Sequence, residues 1–176
     1  MGNRFLKGAM ILSISMFATK FLGILYVIPF QQLVGVSGMA LYNYAYTPYA
    51  LFISLSTLGI PVGIAKFVSK YNAAKEYDTA RTMFRYASWF MIALGCVGFL
   101  TMYNMAPWYA NVVLAGQSEL ANTVEDVTMA IQTISFALLI IPVMAIFRGF
   151  FQGNQNMVPT SVSQFVEQVV RIVFIL

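Results

Sequence analysis

The sequence predicts an all-α fold, a polytopic bundle of membrane-spanning helices. Hydrophobic residues make up 60% of the chain and charged residues only 9%, against about 25% charged in soluble domains. Mean hydropathy is +0.76. Apolar runs recur at the ~20-residue length that crosses a bilayer. The basic residues outside those runs fall on alternate connections, as the positive-inside rule requires. Together these observations exclude a soluble globular domain.

The first span is expected at residues 9–34. It is almost wholly apolar and carries one formal charge, Lys20. The basic start resembles a signal peptide, but the run is too long and has no small-residue cleavage site. We therefore read it as a retained span. Ser13, Ser15, Thr19 and Gly23 permit close helix packing. Met16, Lys20, Gly23 and Val27 recur at three- and four-residue steps and share a face. Lys20 lies roughly 18 Å beyond Gly8 at helical rise, near the bilayer centre. A lysine there costs about 2.5–3.5 kcal/mol on insertion scales, so it should face a partner or a watery cavity.

A tight turn is expected at Gly35-Val36-Ser37-Gly38, and a second span at 39–67. Tyr42, Tyr44, Tyr46 and Tyr49 open it. They read either as an interfacial aromatic belt or as the lining of a cavity for a polar, sugar-bearing ligand. In the second case Tyr26, Tyr42, Asn43 and Tyr46 are candidate lining residues. Pro48 and the Gly59-Ile60-Pro61-Val62-Gly63 cluster interrupt the helix. Such interruptions mark transporter sites or hinges, which makes Gly59, Pro61 and Gly63 hinge candidates.

Lys66 to Arg85 is the most charged segment and is expected to form a surface helix. A loop obeying the positive-inside rule explains it better than nucleic-acid binding. The third span is expected at 86–103, followed by a long loop at 104–123 with Pro107, Trp108 and Tyr109 at the membrane surface. The fourth is expected at 124–151, its start bearing Glu125 and Asp126, where acids suit the helix dipole. Arg148, near its end, is placed at the interface, within reach of phospholipid headgroups. Pro159 suits a first helical turn, so the fifth span is expected at 159–176. It carries Glu167 and Arg171 at depth, with Ser163 on the same stripe and Gln164 and Gln168 beside it.

Every basic residue outside the membrane core falls on the side of the N-terminus, which is therefore expected to be cytoplasmic. The last residues, Val173-Phe174-Ile175-Leu176, have no polar flank. We therefore expect an N-terminal fragment of a longer transporter-like protein.

Lys20 and Arg171 reach similar depth by helical rise. Glu167 can pair with Arg171 four residues on, leaving Lys20 unpaired. It can instead take Lys20, leaving Arg171. Either way one positive charge is in excess, and a low-dielectric cavity with that excess favours an anion. The alternative is a purely structural ion-pair network. The chain has no histidine and one cysteine, Cys96, inside an apolar run. Cys96 reads as a small core residue. No phosphate loop, metal-ligand cluster or triad pattern is present, so no enzyme, cofactor or metal is expected.

Several of these residues resemble a known family. Thr19-Lys20-Phe21-Leu22-Gly23 resembles an element of flippases in the multidrug/oligosaccharidyl-lipid/polysaccharide exporter superfamily. Leu58-Gly59-Ile60-Pro61-Val62-Gly63-Ile64-Ala65-Lys66 is similar to the end of their second helix. Arg148-Gly149-Phe150-Phe151-Gln152-Gly153, with Met157-Val158-Pro159-Thr160 and Glu167-Gln168-Val169-Val170-Arg171, resembles their fourth-to-fifth helix hairpin. The nearest branch is the polysaccharide-biosynthesis group of Gram-positive bacteria, with its sporulation stage V protein B and lipid II flippase types. The resemblance implies about fourteen spans in two lobes around a central cavity, working by alternating access. The implied substrate is a lipid-linked, pyrophosphate-bearing sugar, with Lys20 matching a cavity cation. A further arginine of some members falls at Tyr26 here, and Arg171 could supply the lost charge. The implied setting is the bacterial cytoplasmic membrane, with membrane lipids as neighbours. The rivals are an ion-coupled drug exporter of the same superfamily, which needs a coupling ion, and a non-transporting scaffold.

Overall fold

The computed structural model describes residues 2–57, 59–115 and 122–175, without the side chains of 2–7, 9, 12, 55–57, 174 and 175. The basic start (Arg4 and Lys7), Leu58, Phe174, Ile175 and Leu176 therefore lie outside the described side chains, as do residues 116–121 of the expected loop. All the described secondary structure is helical: α1 (Gly2–Thr57), α2 (Ile60–Ala73), α3 (Tyr77–Leu114), α4 (Val124–Ser135), α5 (Ala137–Gly153) and α6 (Val158–Ile175). The predicted all-α class holds.

The first two expected spans run into one helical stretch, because the expected turn is a single-residue break. Gly35 alone leaves the helix, at φ 67° and ψ −172°. The apolar stretch Ser13–Ser54 has 42 residues, about 63 Å at helical rise, or two crossings of a ~30 Å core. A side chain at φ 67° would clash with its own backbone, so glycine suits this break. The second helix ends at Thr57, and Gly59 adopts φ 75° before α2 starts.

Tyr77–Leu114 and Val124–Gly153 are also long and apolar enough to cross a membrane. α3 runs well beyond the expected 86–103 at both ends. Pro107 lies inside it, costing one backbone donor. Asn104 and Asn111 donate back to the carbonyls of Leu100 and Pro107, at 2.7 and 2.8 Å. The charged 66–85 segment is the end of α2, a turn with Lys75 at φ 61°, and the start of α3. The expected fourth span is broken at Phe136 into α4 and α5. At the α4 start Thr123 and Asp126 form a reciprocal capping box.

The chain forms two compact units. One comprises Val34–Ile60 and Arg85–Ile146. Its core gathers Ala45, Met102, Ala106, Ala110, Val127, Ile131 and Leu138. The buried stripe of α3 runs through Met91, Gly95, Gly98, Met102, Ala106 and Ala110, at helical steps. Cys96 falls beside that stripe and is exposed, which corrects its reading as a core residue. A Cβ on Gly95 would sit 2.7 Å from the carbonyl oxygen of Leu138. Pro142 has no N–H to occupy that carbonyl, and the bare α3 backbone comes up against it.

The second unit comprises Met1–Leu33, Pro61–Phe84 and Phe147–Leu176. Here α5 presses on α2 through Gly149 and Gly153, a small-xxx-small pair. A Cβ on Gly149 would lie 2.6 Å from the Pro61 carbonyl oxygen, and one on Gly153 2.8 Å from that of Ala65. Beyond this seam the Asn72 amide donates to Asn154 Oδ1 at 2.8 Å, tying the two turns together. α1 lies along α6, with Gly8 against Met157 and Ser15 Oγ donating to the Ser161 carbonyl at 3.1 Å. The contacts advance together in sequence, so α1 and α6 run in the same direction.

Candidate functional site

The α1–α6 register decides what Lys20 meets. Ser15 is level with Ser161, so Lys20, a little over one turn further, comes level with the middle of α6. A cavity of about 390 Å³ opens there, lined by Met16, Thr19, Lys20, Arg148, Gln164, Glu167 and Gln168. All seven belong to one compact unit. Lys20 is exposed into this space. Among the described residues it makes no ion pair; those found are Arg148–Glu167 and Arg171–Glu167.

Glu167 meets Arg171 and leaves Lys20 without an ion pair among the described residues, as in the first expected arrangement, and it takes Arg148 in addition. Its Oε2 accepts from Arg148 Nη2 at 2.9 Å, and its Oε1 meets Arg171 Nη2 at 3.4 Å. Arg148 Nε also donates to Ser163 Oγ at 3.3 Å. Arg148 is thus turned toward α6, with a side chain only 24% exposed. The hairpin explains the pairing. α5 ends at Gly153 and α6 starts at Val158, so Arg148 and Glu167 face each other about one helical turn out of step. The long arginine side chain spans that offset. The sequence signal for this pair is the hairpin register, which stands beside the i, i+4 spacing of Glu167 and Arg171.

Arg171 is not among the residues lining the cavity, and it comes one turn further along α6 than Glu167. With Arg148 added, Lys20, Arg148, Arg171 and Glu167 sum to two positive charges. The Oε1 atoms of Gln164 and Gln168 and Thr160 Oγ1 are buried without a hydrogen-bond partner among the described residues. Two of these three residues line the same cavity.

The other sequence candidates lie elsewhere. Tyr26 pairs with Phe30, ring centroids 6.5 Å apart, and is not among the cavity residues. Tyr42, Asn43 and Tyr46 belong to the other compact unit. Tyr42 stacks on Tyr46 at 5.5 Å, and the Asn43 carbonyl accepts from Thr47. Gly59 is the left-handed break, Pro61 sits in the first turn of α2 against Gly149, and Gly63 has open space around it.

The sequence has known relatives. The profile of the family described as polysaccharide biosynthesis protein matches residues 5–176. The chain belongs to that family. It is 42% identical to the lipid II flippase MurJ of Bacillus subtilis (strain 168), over all of this chain and 32% of that protein. It is 32% identical to the uncharacterized membrane protein YabM of the same organism, over 97% of this chain and 30% of the other. Stage V sporulation protein B, also from B. subtilis, is 29% identical over 96% of this chain and 31% of its own length. The chain therefore spans about a third of the length of these relatives. No solved structure matches it significantly. Family membership and the long apolar helices make it a multi-pass membrane protein.

Proposed function

We propose that this chain is part of a flippase that moves a lipid-linked, pyrophosphate-bearing saccharide or peptidoglycan precursor across the bacterial cytoplasmic membrane. The observation that carries this reading is Lys20, a cation without a counter-ion among the described residues, in a cavity with Arg148. The relative named as a lipid II flippase supports the substrate class. An anionic headgroup crossing a low-dielectric core needs positive charge along its way. Lys20 supplies it, while the lipid tail stays in the bilayer. Flipping breaks no bond, so the protein acts as a transporter and not as an enzyme. The N-terminus faces the cytoplasm in this reading, and the two-lobed, alternating-access architecture is completed by further spans.

The ion-coupled drug exporter needs a carboxylate free to bind its ion or proton. Glu167 is engaged by two arginines, which argues against that role. Two assays test the proposal. In the protein at its full natural length, Lys20→Ala should abolish rescue of a strain depleted of its own lipid II flippase, while membrane insertion persists. Normal rescue by that variant would overturn the reading.

A further inference from the structure

Arg148 opens onto the same cavity as Lys20, yet its charge is already taken. Of its five N–H donors, Nη2 reaches Glu167 and Nε reaches Ser163. The remaining donors have no partner among the described residues, and the side chain lines the cavity. A planar guanidinium with free donors is suited to a phosphate, which it grips through two parallel bonds.

Glu167 is what holds it. Normally, pulling one partner from a half-buried pair leaves a carboxylate stranded, which is costly. Here it does not. The second oxygen of Glu167 meets Arg171, so the carboxylate keeps a counter-ion when Arg148 leaves. The three side chains are arranged for an exchange of partners.

We propose that Arg148 is a second anion-binding side chain of this cavity, kept by Glu167 between transport events and handed to the phosphate when it enters. The proposal rests on the flippase reading and adds to it a residue and a switch. Glu167 acts as the resident anion that the incoming one displaces. Its return to Arg148 helps the headgroup leave.

The test uses the protein at its full natural length in lipid nanodiscs. The probe is a short-chain isoprenyl pyrophosphate disaccharide with a fluorescent tag. A second probe carries an uncharged linker in place of the pyrophosphate. Arg148→Gln should weaken binding of the charged probe about tenfold, the worth of one charge-assisted contact. Glu167→Gln should instead tighten it several-fold, because the competing carboxylate is gone. The double variant Arg148→Gln/Glu167→Gln should bind as weakly as Arg148→Gln alone. Weaker binding by Glu167→Gln, or a gain that survives in the double variant, would overturn the exchange. Where Arg148→Gln fails to fold, Arg148→Lys with and without Glu167→Gln gives the same comparison. If Lys20→Gln loses the charged probe while Glu167→Gln gains nothing, the exchange fails and the flippase reading stands. If the unsubstituted protein binds both probes equally, both fail.

Discussion

Arg148 and Glu167 are 19 residues apart in the chain and 2.9 Å apart in space, across the turn that joins α5 to α6. Arg171 reaches the same carboxylate from one turn along α6, at 3.4 Å and more exposed. The two arginines should therefore differ in stability. Arg171→Gln removes a long, exposed i, i+4 contact worth about 0.3–0.5 kcal/mol. Arg148→Gln removes a closer, less exposed one, and should cost more, about 0.5–1.5 kcal/mol, because Arg171 still meets the carboxylate. Thermal unfolding of the two variants in detergent reads the order directly; equal losses would contradict this geometry.

Gly149 and Gly153 bring α5 within backbone contact of α2. An alanine at Gly149 puts its Cβ 2.6 Å from a carbonyl oxygen that belongs to the helix backbone and cannot swing aside. Gly149→Ala should destabilise by about 1–3 kcal/mol, the usual cost of overpacking. It should also displace the neighbouring Arg148, so transport should fall further than stability alone accounts for. Transport assayed at matched amounts of folded protein separates the two effects.

Gly59 and Gly63 are four residues apart, and the structure separates their roles. Gly59 adopts φ 75°, so Gly59→Ala should cost about 1–2 kcal/mol. Gly63 lies inside α2 with nothing within 4 Å of an added Cβ. Gly63→Ala should stabilise by about 0.5–1 kcal/mol through helix propensity. If that same variant slows transport, flexibility at Gly63 is being used. Unchanged transport removes Gly63 from the hinge candidates.

The buried amide oxygen of Gln168 has no hydrogen-bond partner among the described residues. Such an orphan costs about 1–3 kcal/mol. Gln168→Met keeps the length and drops the polar atoms, so it should raise the melting temperature. In the flippase reading the amide meets hydroxyl groups of the sugar, so the same variant should transport more slowly. A rise in stability with full activity would leave Gln168 without a role in binding.

Much of this was legible in the sequence. Apolar runs placed the helices, and the Gly59-Ile60-Pro61 cluster marked a real break. Lys20 was recognisable because a lone cation in an apolar run is costly wherever it points. The rest depended on contacts that linear patterns do not carry. The helix continues through Pro107, which removes a single backbone donor and so breaks only one bond of the ladder. The break at Phe136 has no glycine or proline beside it; Ser135 instead turns back onto the Gln132 carbonyl at 2.6 Å. Arg148 closes an apolar run, a position that gives no hint of a partner; the pairing with Glu167 follows from the hairpin register. The Gly149–Gly153 spacing is a small-xxx-small signal that the sequence does carry.

That glycine seam has one more consequence. An arginine on a loosely held helix samples many positions, and its charge is smeared along the membrane normal. Here the residue next to Arg148 has no side chain and rests on the main chain of α2, so the root of the arginine side chain has a fixed origin. The guanidinium can swing between Glu167 and an incoming anion, but it does so from one pivot.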